Sequence, residues 1–157
     1  MIARATTDHE LSQEDPYGAA PAPPAPIPAS ARWARWLYLG LAWLFAGCVI
    51  VQVFFAGLAI FVDSSRWLWH TSFVHAFELI PFLMLVVAFI ARLPAIIRWL
   101  TVALYGLIFL QYFTANFGGI AGAFHPVNAL LLTWLALNVA GRTRRVIRAT
   151  APAAQVA

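Results

Sequence analysis

Residues 99–140 read WLTVALYGLIFLQYFTANFGGIAGAFHPVNALLLTWLALNVA, with no Asp, Glu, Lys or Arg among them. A bilayer is crossed by about 20 apolar residues in a helix, so this run is too long for one span. Phe117-Gly118-Gly119 breaks it, because glycine tolerates the turn and weakens a helix. The natural solution is a tight hairpin of two membrane helices. Arg92, Pro94 and Arg98 precede the hairpin, and Gly141-Arg142-Thr143-Arg144-Arg145 ends it. Upstream lie two more apolar stretches, one after Arg32 and Arg35, with Asp63-Ser64-Ser65-Arg66 between them and Glu78 the one charged residue within the second. Backbone polar groups must be satisfied inside lipid, so the spans are helices. The expected fold is all-α, a four-transmembrane-helix bundle running up-down-up-down, with spans at about 36–62, 67–90, 95–116 and 120–140.

Composition agrees. Of 157 residues 62% are hydrophobic and only 10% charged, against about 25% charged in a soluble domain. The net charge is +4, and every basic residue is Arg. These arginines fall at span ends, which is a topology signal and not a nucleic-acid footprint. Arg32 and Arg35, Arg92 and Arg98, and Arg142, Arg144, Arg145 and Arg148 all flank one side. Positive-inside then predicts a multi-pass inner-membrane protein with cytoplasmic N- and C-termini. Trp67 and Trp69 fit the outer interface, and Trp33, Trp36 and Trp99 the inner one.

Residues 1–31 read as a disordered Pro/Ala-rich cytoplasmic tail, with no signal-peptide pattern. Residues 32–148 form the membrane domain, and 149–157 a short tail. The lone Cys48 excludes an internal disulfide. No phosphate-binding loop, nucleophile triad, CxxC or HExxH motif occurs.

The chemistry-bearing residues come in matched sets. Gln52-Val53-Phe54-Phe55-Ala56 parallels Gln111-Tyr112-Phe113-Thr114-Ala115. Allowing the first turn nine extra residues, His75 matches His125 and Glu78 matches Asn128. The bundle is thus expected to be two parallel helical-hairpin repeats about an axis along the membrane normal. His75 and Glu78 share a helix face, as do His125 and Asn128. On diagonal helices the two histidines are expected to face each other across the axis.

Polar groups in a membrane segment are costly and mark functional sites. The sharper reading is one haem b ligated by His75 and His125, serving electron transfer or haem handling, with a redox partner or quinone. Gln52, Gln111, Glu78 and Asn128 would complete that polar site. A second reading makes the same residues interhelical hydrogen bonds, or the substrate site of a small transporter. A third uses His75, Glu78 and His125 as metal ligands. His70 reads as a solvated interfacial histidine.

With V-Q-V-F-F-A-G-L in the first span, a histidine in the second and H-P-V-N-A-L-L in the fourth, residues 36–142 resemble a family of uncharacterised bacterial four-helix integral membrane proteins. More distantly they are similar to the haem b four-helix membrane cytochromes and the halves of haem A synthase. The family resemblance implies topology and little chemistry. The distant one implies at most a single bis-histidine haem, since those proteins usually carry more histidine ligands.

Overall fold

The computed structural model describes residues 27–150, and the expectations for residues 1–26 and 151–157 lie outside them. Among the described residues run helices α1 (Ala29–Phe61), α2 (Trp67–Phe77), α3 (Ile80–Ile90), α4 (Ala95–Asn116) and α5 (Gly119–Ala149), with a 3-10 turn at Ser64–Arg66. Four helical segments are long and apolar enough to cross a membrane, α2 and α3 together forming the second. Only 22–28% of each span's apolar window is buried inside the protein. The rest is outward-facing Trp, Phe, Leu and Ile, a surface that lipid covers and water would not.

The spans form a ring: α1 packs on α5 and on the α2–α3 segment, and α4 packs on α5 and α3. Spans one and three, and two and four, are therefore diagonal. Tyr38 and Thr101 cross the first diagonal with a 2.5 Å hydrogen bond between fully buried side chains.

Local chemistry sets the ends. Pro94 precedes the first turn of α4, where a missing N–H costs nothing. Gly119 has φ +64°, and a Cβ on Gly122 would lie 2.6 Å from the Phe117 carbonyl oxygen, so the second tip needs both glycines. At the first tip the Asp63 carboxylate accepts the Ser65 N–H at 2.9 Å, which holds its carboxyl below the usual carboxylate range. At the α3–α4 turn Arg92 has φ +50°, while Leu93 N–H bonds Ala88 O and Arg92 N–H bonds Phe89 O. That pair is the Schellman motif, with arginine where glycine is usual.

Three boundaries differ from expectation. The second span is not one helix: it breaks at Glu78–Leu79, because Pro81 has no N–H for the Phe77 carbonyl. Helix α1 starts at Ala29, seven residues before the apolar stretch. Helix α5 runs to Ala149, nine past it, because arginines are good helix formers once outside the lipid. These two extensions pack together: Arg35, 7% exposed, donates from Nε to Ala91 O at 3.1 Å and from Nη1 to Thr150 Oγ1 at 2.8 Å.

The repeat is present, in a different register. Buried Tyr38, Ala42, Phe45 and Val49 of α1 recur 59 positions later as buried Ile97, Thr101, Leu104 and Ile108. Buried Phe77, Pro81, Met84 and Ala88 recur 55 positions later as Leu132, Ala136, Val139 and Thr143. The first connection is therefore four residues longer than the second, and not nine.

Candidate functional site

Near the two hairpin tips the helices enclose a cavity of about 370 Å³, within the size range of cofactor sites. Its walls obey the same two-fold register. Val49, Gln52, Val53 and Ala56 are answered by Ile108, Gln111, Tyr112 and Ala115. His70, Thr71, Val74 and Phe77 are answered by His125, Pro126, Ala129 and Leu132. His75 and Asn116 also line it, without counterparts.

Each half carries the same clamp. Gln52 Nε2 donates to His70 O at 2.7 Å, and His70 Nδ1 lies 2.9 Å from Gln52 O. Gln111 Nε2 donates to His125 O at 3.1 Å, and His125 Nδ1 lies 3.1 Å from Gln111 O. A carbonyl oxygen only accepts, so both Nδ1 atoms carry the proton. In the neutral rings both Nε2 atoms are then acceptors. His125 Nε2 takes a 3.1 Å contact from the Gln111 amide, and His70 Nε2 has no partner among the described residues. The two imidazoles face each other with ring centroids 6.2 Å apart and planes at 60°.

The facing pair expected of His75 and His125 is thus made by His70 and His125. His75 sits five residues further on, on another face of α2, with 65% of its side chain exposed. Its Nδ1 lies 3.3 Å from Glu78 Oε1 and 3.4 Å from Tyr112 Oη, and its ring stacks on Tyr112 with centroids 6.4 Å apart. Tyr112 Oη also donates to Glu78 Oε2. Glu78 does not match Asn128. Asn128 is buried and donates to Leu107 O at 2.9 Å and to Gln111 Oε1 at 2.5 Å. Its counterpart in the register is Phe73, so Gln52 lacks the equivalent bond and its Oε1 is buried without a partner. His75, Glu78 and His125 do not converge: among the described residues no three of His, Cys, Asp and Glu gather as a metal site would require.

His70 is the residue that the sequence reading missed. The Trp67-Leu68-Trp69 run made His70 look like part of an interfacial belt. A smaller gap in the repeat alignment would have found it, since it also pairs Val74 with Ala129 and Phe77 with Leu132.

Residues 52–119 match the sequence pattern of DUF6220, a family of unknown function. The DUF6220 match runs from Gln52 to Gly119, so it includes the first clamp and Gln111 but stops before His125. No curated protein and no solved structure matches the chain.

Proposed function

We propose that this protein is an inner-membrane haem b protein in which His70 and His125 would hold the haem iron, exchanging electrons with a redox partner. The observation that carries the reading is the opposed pair of Nδ1-protonated imidazoles. His70 and His125 would hold the iron through their Nε2 atoms, and their ring centroids lie 6.2 Å apart across the cavity. A metal-ligating histidine usually donates its other N–H to a carbonyl or carboxylate, which fixes ring and tautomer, and Gln52 and Gln111 supply that carbonyl here. The donor set and the apolar lining fit a haem, which when bound would supply one-electron chemistry. The protein's own part is to orient the imidazoles, exclude water and set the polarity around them. By the positive-inside rule the site lies in the outer half of the membrane and both termini are cytoplasmic.

A purely structural reading is favoured by one observation: both clamps are satisfied without a ligand. It leaves the free Nε2 of His70 unexplained. The absorption spectrum of the full chain, purified after expression with haem supplied, separates the two. The expected result is a Soret band that His70→Ala and His125→Ala each abolish and His75→Ala retains. A colourless wild-type protein overturns the haem reading.

A further inference from the structure

The His75–Glu78–Tyr112 cluster stands apart from the two clamps yet opens onto the same cavity, through His75 and Tyr112. His75 lies six residues past Trp69, roughly 9 Å along the span from the outer interface, and Glu78 about 5 Å deeper. In a hydrocarbon layer of about 30 Å both are well below the surface. Yet the side chains are 65% and 26% exposed, on a span whose outward surface is apolar. An imidazole and a carboxyl so placed are expensive to keep and call for a function. The His75 Nδ1 is engaged by Glu78 and Tyr112, and its Nε2 has no partner among the described residues.

We propose that this cluster is the head-group site of a membrane-dissolved quinol, the electron donor to the His70–His125 site. The proposal rests on the haem reading for its chemistry, but its geometry is separate. A ligand reaching this place must come from the lipid and fill an opening walled by apolar Val53, Ala56, Val74 and Ala115. It must also offer O–H donors to a bare imidazole nitrogen and a carboxylate. A hydroxylated aromatic ring on an apolar tail meets all three conditions. A phospholipid head group does not, because its phosphate belongs at the interface and would meet the Glu78 carboxylate. Tyr112 adjoins Gln111, which clamps His125, so a ring seated against Tyr112 lies one residue along α4 from the clamp of the second ligand. Oxidation of one quinol to quinone breaks two O–H bonds. The His75 Nε2 and the Glu78 carboxylate take the two protons. The two electrons pass one at a time to a one-electron acceptor protein, and a haem held by His70 and His125 would supply the one-electron chemistry between them.

Photo-labelling of the full chain in lipid nanodiscs with an azido-quinone, mapped by mass spectrometry, tests this. Label is expected in residues 71–78 and 112–116, displaced by a short-chain quinol. Glu78→Gln and Tyr112→Phe are each expected to weaken that displacement about tenfold, as loss of a charge-assisted hydrogen bond does, with the Soret band unchanged. Label elsewhere, or displacement unaffected in both variants, overturns the quinol site. If the protein has no Soret band but quinol still displaces label at this cluster, the haem reading falls and the head-group site stands.

Discussion

His70 and His125 stand 6.2 Å apart across the cavity, each anchored by its Nδ1 to a glutamine carbonyl of its own hairpin. Neither ring depends on the other hairpin for its orientation, so only the packing between hairpins sets their separation. A ligand that bonds both nitrogens therefore ties the two hairpins together. Haem is expected to raise the thermal unfolding midpoint of the wild-type protein by mass action. The same shift is expected in His75→Ala and none in His70→Ala or His125→Ala, as followed by circular dichroism in detergent.

The two glutamines are matched in position but not in load. Gln52 makes one side-chain bond, to His70 O. Gln111 bonds His125 O, contacts His125 Nε2 and accepts from buried Asn128. A hydrogen bond between membrane helices contributes about 0.6 kcal/mol on average and up to about 1.7 kcal/mol. Gln52→Leu should fall near the lower figure and Gln111→Leu at or above the higher, in reversible unfolding in mixed micelles. Equal losses would contradict the asymmetry.

Tyr38 and Thr101 make the polar crossing between diagonal spans one and three. Thr101 also donates to Ile97 O at 2.8 Å, so its hydroxyl proton is already placed and Tyr38 is the donor in the pair. Tyr38→Phe should cost roughly 1 kcal/mol. A double-mutant cycle with Thr101→Val should return most of that value as coupling.

Gly119 and Gly122 have different reasons to be glycine. Alanine at Gly119 must hold φ +64°, at about 1–2 kcal/mol. Alanine at Gly122 puts a methyl 2.6 Å from the Phe117 carbonyl oxygen, and overpacking of this kind costs about 1–3 kcal/mol. Both variants should loosen the second tip, read as faster proteolysis between residues 116 and 123.

Arg92 is exposed and left-handed at the end of α3. Arg92→Gly should relieve about 1 kcal/mol of backbone strain and raise the unfolding midpoint. It should leave orientation unchanged, because seven arginines remain among those flanking that side, Arg32, Arg35, Arg98, Arg142, Arg144, Arg145 and Arg148.

Much of this architecture was legible in the chain. Span number and the hairpin at Phe117–Gly119 follow from charge-free length and glycine, and the meeting of Gln52, Gln111 and His125 at one cavity from matched polar residues. The break at Glu78 was hidden because a proline in a membrane helix does not say whether the helix bends or stops. His75 was mistaken for the partner of His125 because the gap in a repeat of mostly apolar residues is poorly fixed by identity. Two histidines five apart on one helix compete for the same match.

The sequence by itself determined four membrane helices in two hairpins, because hydrocarbon thickness and the cost of unpaired backbone leave few alternatives. Only the tertiary structure decided which histidine faces which. That choice depends on rotation about the helix axis, where neighbouring side chains turn by about 100° per residue. The burial of Phe77, Pro81, Met84 and Ala88 against α1 and α4 fixes that rotation. It turns His70 inward to His125 and leaves the exposed His75 with Glu78 and Tyr112 on another face of α2.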